Sequence, residues 1–157
     1  MATLTDVYGV NATKRDVTRP AEKVPANEQY GRVRVLYDEY TVDTADEFGT
    51  SGLIKMMKIP KGARLVGARV VCPATGATGI FDVGWAAGAK GVELADADGI
   101  FAAQDPGAAA VDAQMAGTVA GFNKTFEEEV QVEVDFSEAT ADMGTKTLKL
   151  MLFIVVD

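Results

Sequence analysis

The last stretch of the chain, Thr145 to Val156, limits what the rest can be. It reads Thr-Lys-Thr-Leu-Lys-Leu-Met-Leu-Phe-Ile-Val-Val. Side chains alternate between faces along an extended strand, so Leu148, Leu150, Leu152, Ile154 and Val156 share one side. The opposite side starts with Thr147 and Lys149 and turns apolar at Met151, Phe153 and Val155. A strand of this pattern begins half exposed and ends covered on both faces. At an open edge, Leu-Phe-Ile-Val-Val would pair with any other chain it met. The stretch therefore belongs in the middle of a sheet, or its second face is covered by another subunit.

The period of two recurs upstream. Gly31 to Thr41 reads as the first strand, with Val33, Val35 and Tyr37 on one side and Arg32, Arg34, Leu36 and Asp38 on the other. Asp43 to Ser51 is an acidic turn or loop, and Gly52 to Ile59 a strand of imperfect alternation. Pro60-Lys61-Gly62 has the composition of a tight turn. Arg64 to Cys72 and Gly79 to Trp85 are further strands, the former stopped by Pro73. Phe126 to Phe136 alternates most cleanly, Val130, Val132, Val134 and Phe136 inward against Gln131, Glu133 and Asp135 outward.

Between these strands lies Ala86 to Gly121, rich in Ala, Gly and Asp. Its composition predicts a structured excursion with a short strand at Gly91–Leu94 and short helical pieces near Ile100–Gln104 and Ala108–Met115, parted by Pro106-Gly107. About six to eight short strands with Gly/Pro turns predict an all-β chain, an antiparallel β-sandwich of jelly-roll type. Residues 1–30 show neither helical nor strand period, and Pro20 and Pro25 favour extended backbone. With scattered anchors at Leu4, Val7, Tyr8, Val10, Val17, Val24 and Tyr30, they read as an extended arm lying on a partner or a neighbouring subunit, the alternative being a disordered tail. The division expected is arm 1–30 and sandwich 31–157, the latter including the short helical insertions of 86–121.

With 157 residues, one domain with its own core is expected. No apolar run approaches the roughly 20 residues that span a bilayer, so no membrane partner is expected. Met1 to Val10 lacks the basic start and apolar centre of a signal peptide, and synthesis in the cytoplasm is expected. The single cysteine, Cys72, forms no internal disulfide and reads as a packing residue. Residues 1–69 carry 11 basic and 9 acidic side chains; residues 70–157 carry 4 and 14. This balance, with no aromatics interleaved among clustered cations, argues against direct nucleic-acid binding.

No histidine occurs anywhere, which removes the commonest general base, the usual zinc ligand and the His-activated nucleophiles. Glu127-Glu128-Glu129 cannot flank one bond as a glycosidase pair, because neighbours in a strand point to opposite faces; a solvated charge run is expected. Asp96-Ala97-Asp98-Gly99 resembles the start of a calcium loop, but Gly107 stands where the twelfth-position Glu belongs, so an acidic turn is expected. Trp85 is read as a cap on the core, or otherwise as an interface or sugar-stacking residue. No catalytic, cofactor-binding or metal-binding residue is assigned, and the chain is read as a non-enzyme without a cofactor.

Several phrases of the chain carry a resemblance: Tyr8-Gly-Val-Asn-Ala-Thr-Lys14, Gly31-Arg-Val-Arg-Val-Leu-Tyr-Asp-Glu-Tyr40, Ile59-Pro-Lys-Gly-Ala-Arg64, Phe81-Asp-Val-Gly84 and the closing Leu148 to Asp157. Together they resemble the head decoration, or cement, proteins of tailed bacteriophages, small virion structural proteins. The resemblance implies a jelly-roll-like subunit, a homotrimer on the outer surface of the capsid, bridging neighbouring major capsid subunits. On that reading Tyr8, Val10, Arg15 and Arg19 contact the capsid, since the basic excess lies in their half of the chain. Trp85, Phe101 and Phe153 are the expected trimer interface. The alternative from another class is a carbohydrate- or receptor-binding jelly-roll module of a phage fibre.

Overall fold

The computed structural model describes residues 32–41, 53–74, 80–107, 109–135 and 146–156. They form eight strands and, among the described residues, no helix. The strands are β1 (Val33–Thr41), β2 (Leu53–Ile59), β3 (Ala63–Cys72), β4 (Phe81–Trp85), β5 (Asp96–Gln104), β6 (Val111–Gln114), β7 (Val130–Asp135) and β8 (Thr147–Val156). All belong to the unit Val33–Asp157. Two four-stranded antiparallel sheets result, ordered β1-β8-β3-β6 and β2-β7-β4-β5.

The pairing has a simple rule. β1 pairs with β8, β2 with β7, β3 with β6 and β4 with β5, so the first half of the chain runs back along the second as one long ribbon. Two further pairings, β3 with β8 and β4 with β7, close the folded ribbon into two sheets. This is the eight-stranded jelly roll that the strand count foreshadowed.

β8 lies where its sequence required, inside a sheet between β1 and β3. Leu148, Leu150, Leu152 and Ile154 point into the sandwich and are buried. They meet Ile54, Met56 and Ile59 of β2, Phe81, Val83 and Trp85 of β4, and Val130, Val132 and Val134 of β7 in one core. The inward set expected for β7 is the observed one, as far as Val134; Phe136 lies outside the described residues.

The Ala/Gly-rich stretch departs from expectation. Ile100–Gln104 is the second half of β5, and Val111–Gln114 is β6; neither is helical, while Gly91–Leu94 is a bend rather than a strand. The acidic turn expected at 96–99 is likewise the beginning of β5. Small residues mark close approach here, not helix. A Cβ on Gly84 would strike the backbone of Asp96 and Ala97, and one on Gly99 would strike the Trp85 ring. So 86–121 supplies two of the eight strands, and the sandwich is incomplete without it.

The turn after β2 forms as read, with the Ala63 amide donating to the Pro60 carbonyl at 3.1 Å and Gly62 at φ +80°. Beyond it β3 has two partners along one edge. Asn123 and Lys124 exchange backbone hydrogen bonds with Leu65, and Phe126 donates to Ala63; β6 takes over from Arg69. At the change the pairing of β3 with β8 slips by one residue between Leu65 and Gly67. Val66 and Gly67 consequently both lean outward, a β-bulge.

At this end of the sandwich Trp85 is enclosed. Its Nε1 donates to the Leu94 carbonyl at 3.0 Å, and its ring meets Phe126 edge-on, centroids 5.1 Å apart. The Lys124 ammonium lies 5.8 Å from the Trp85 centroid and 5.5 Å from that of Phe126. Glu128 corrects the reading of its run as wholly solvated: Glu127 and Glu129 are exposed, but Glu128 is buried and accepts from the amides of Lys90 and Val92. Buried Glu93 accepts from the Glu127 amide at 2.7 Å and pairs with Lys124 at 2.9 Å. These carboxylates fasten 86–95 to 121–128.

Burial pushes the Glu93 carboxyl up, but the Glu127 amide and the Lys124 ammonium outweigh it and hold the group below its ordinary 4.5. A carboxylate depressed in the fold adds stability above its unfolded value and loses it as pH falls through the folded one. The melting temperature of the wild type is therefore expected to fall on acidification from pH 5, and Glu93→Gln to flatten that slope. Equal slopes in the two proteins would remove Glu93 from the linkage.

Candidate interaction surface

The two sheets present unlike outer faces. On β2, β7 and β4 the outward residues include Lys55, Lys58, Gln131, Glu133, Asp135 and Asp82, a polar surface with a Lys58–Glu129 ion pair at 2.8 Å. The outer face of the β1-β8-β3-β6 sheet is apolar over much of its width. Val33, Val35 and Tyr37 are 58%, 55% and 52% exposed. They stand directly across from Val155, Phe153 and Met151 of β8.

The strip follows from local sequence. Strand alternation makes one face of β1 Val33-Val35-Tyr37 and the other Arg34-Leu36-Asp38-Tyr40. Leu36 and Tyr40 pack against the core, which turns the three apolar residues outward. Phe153 covers Gly67, whose missing side chain leaves room for the ring: a Cβ there would touch Phe153 at 3.4 Å. Next to it the β3 bulge opens a recess of about 440 Å³, lined by Val66, Gly67, Arg69, Met115, Phe122 and Phe153. Phe122 is itself 44% exposed. Contiguous exposed apolar surface of this kind is a candidate contact surface for another macromolecule.

Charges along the strip are compensated locally. Arg69 donates twice to Asp112 across β3 and β6, at 2.7 and 2.6 Å. This fork holds the Asp112 carboxyl below its ordinary range and raises the guanidinium. Glu39 stands opposite Lys149 and accepts a 2.6 Å hydrogen bond from the Tyr37 hydroxyl, which raises the phenol. The surface is thus apolar at its centre and neutral at its rim.

Of the residues proposed from sequence for a trimer interface, Trp85 and Phe101 are only 4% and 3% exposed within the subunit, and Phe153 alone opens onto the strip. An enclosed Trp85 offers almost no face for stacking on a sugar. Tyr8, Val10, Arg15 and Arg19 lie outside the described residues. The sequence paired Val33, Val35 and Tyr37 on one face without saying that it was the outer one; the inward position of Leu36 decides that. Val66, Met115 and Phe122 were not singled out, since a bulge and a loop bring them together. Cys72 is buried as expected, and burial pushes its thiol up to about 11. Among the described residues no group of three or more His, Cys, Asp or Glu could hold a metal ion.

No protein-family model matches the chain, and no curated protein matches it by sequence. Solved structures do match by fold. A chain in the capsid of Ralstonia phage GP4 superposes with TM-score 0.66 at 21% identity, over 94% of this chain and 96% of that one. A chain of the cyanophage Pam1 capsid asymmetric unit gives 0.66 at 14% identity, over 89% and 96%. One from the capsid of the Helicobacter pylori bacteriophage KHP30 gives 0.51 at 12%, over 79% and 87%. The chain shares its fold, over 79% to 94% of its length, with chains found in three phage capsids.

Proposed function

We propose that this protein is a structural component of a phage virion, a decoration or cement protein bound to the outer surface of the head. The observation that carries the reading is the two-way coverage of the fold likeness: nearly all of this chain matches nearly all of a chain in the Ralstonia phage GP4 capsid. The match is thus between two chains of similar length, each covered almost from end to end. The sequence resemblance to cement proteins supports the same reading.

In this role the work is mechanical. Each subunit buries moderate area on neighbouring major capsid subunits and raises the cost of separating them. As a homotrimer it would bind through three linked contacts, and the high effective concentration of the second and third multiplies the affinity of the first. The strip around Phe153 is the described surface suited to joining copies, and the arm, through Tyr8, Val10, Arg15 and Arg19, is the segment suited to reaching the capsid.

Co-sedimentation with heads assembled without the protein tests this. The full chain is expected to pellet with the heads, and a chain lacking residues 1–30 to remain in the supernatant while keeping the melting temperature of the sandwich. Undiminished binding of the shortened chain would remove the arm from the mechanism. A full chain that stays in the supernatant would overturn the decoration role itself.

A further inference from the structure

The two sheets have four outer edges, and three are blunted against further pairing. β6 has only four residues. β2 carries a register shift between Lys55 and Lys58, with both lysines exposed. β5 shifts twice against β4 and contains Ala103 at φ +50°. Short, bulged or lysine-bearing edges resist pairing with other chains. β1 has none of these devices. It pairs with β8 through nine consecutive residues without a shift, contains no proline, and no described strand lies along its other side.

We propose that β1 is a strand-pairing surface for a second copy of this chain, joined antiparallel about a two-fold axis at Leu36. The order of residues along β1 supports self-pairing. Centred on Leu36, the register sets Arg34 of each copy against Asp38 of the other, and Val35 against Tyr37. Arg34 is exposed and has no partner among the described residues; Asp38 is half-buried and bonds to the neighbouring Glu39 amide through one oxygen. Opposite charges and an aromatic with a β-branched residue are favourable cross-strand pairs, each formed twice by the symmetry.

Facing residues in an antiparallel pair share a face, so the pairing also joins the outer strips of the two subunits into one. Of the two neighbouring registers with matched faces, the one centred on Tyr37 sets Leu36 against Asp38 and the one centred on Val35 sets Leu36 against Arg34, so each strands a charge beside an apolar side chain twice over. The joint makes an eight-stranded sheet across two copies. It uses the edge of β1 and leaves the recess beside Phe153 open. It therefore does not compete for the recess proposed for joining a trimer, and two trimers joined at one such edge would contain six chains. The inference stands apart from the capsid reading, and its test needs no capsid.

Sedimentation velocity over a range of concentrations provides that test. Wild type is expected to associate into species with an even number of chains. Arg34→Asp sets two carboxylates opposite each other at both ends of the joint and is expected to weaken association roughly tenfold or more. Arg34→Asp combined with Asp38→Arg re-creates the pair in reverse and is expected to restore it. Wild type that forms no even-numbered species would overturn the proposal, as would unchanged association of Arg34→Asp or failure of the double variant. Equal melting temperatures of the three proteins at low concentration show that the charge changes leave the sandwich intact.

Discussion

Leu150→Ala is expected to lower the unfolding free energy by about 2–5 kcal/mol, the range for a leucine truncated in a core that cannot collapse around the gap. Leu150 is fully buried. Its strand is held on both sides, by Asp38 of β1 and Val70 of β3 in direct register, so the backbone cannot move in to fill the space. The contrast is Phe153→Ala, three residues along the same strand on the other face. Phe153 is only half-buried, and its loss is expected to cost much less in stability while weakening association between copies. Urea unfolding of the two variants would measure the difference. Equal losses would mean that the strip is as tightly packed as the core, and would remove the reason to regard it as a surface for partners.

Trp85→Ala is expected to be as damaging or worse, about 3–5 kcal/mol for a large aromatic removed from the interior. The reason lies in what has been arranged to fit the indole. Gly99 and Gly121 both lie against the ring, and a Cβ on Gly121 would stand 3.1 Å from it. With the ring gone, neither position has a side chain of its own to relax into the hole. The Leu94 carbonyl loses its donor and Phe126 its edge-on partner. Trp85→Phe separates these effects: it retains most of the apolar contact and loses the hydrogen bond, and a cost near 1–2 kcal/mol is expected. A thermal melt of Trp85→Ala indistinguishable from wild type would show the indole to be a surface group.

Much of the sandwich was legible because burial leaves a direct mark on alternating sequence. β8 is apolar on both faces toward its end, and it is central. β7 alternates cleanly, and its valines are the inward set. What misled was the meaning of small residues. Alanine and glycine between 86 and 121 look like helix or filler, yet Gly99 and Gly121 lie where the Trp85 ring or neighbouring backbone passes too close for a side chain, a constraint set by distant parts of the chain. The interaction surface was half legible for a related reason. Alternation sorts Val33, Val35 and Tyr37 onto one face, but only packing decides which face is out. Large aromatics carry two meanings: Trp85 and Phe101 are as suitable for an interface as for a core, and within the subunit both are buried. In the run Glu127-Glu128-Glu129 nothing local distinguishes the buried middle residue, because its partners, the Lys90 and Val92 amides, come from a loop 36 to 38 residues earlier.

The most direct measurement is a cryo-electron microscopy difference map between heads assembled with and without this protein. Sandwich-sized density is expected on the outside of the shell, repeated at three-fold and quasi-three-fold positions and touching at least two major capsid subunits at each. Density inside the head or confined to the tail, or no difference between the maps, would contradict a role as an external decoration protein.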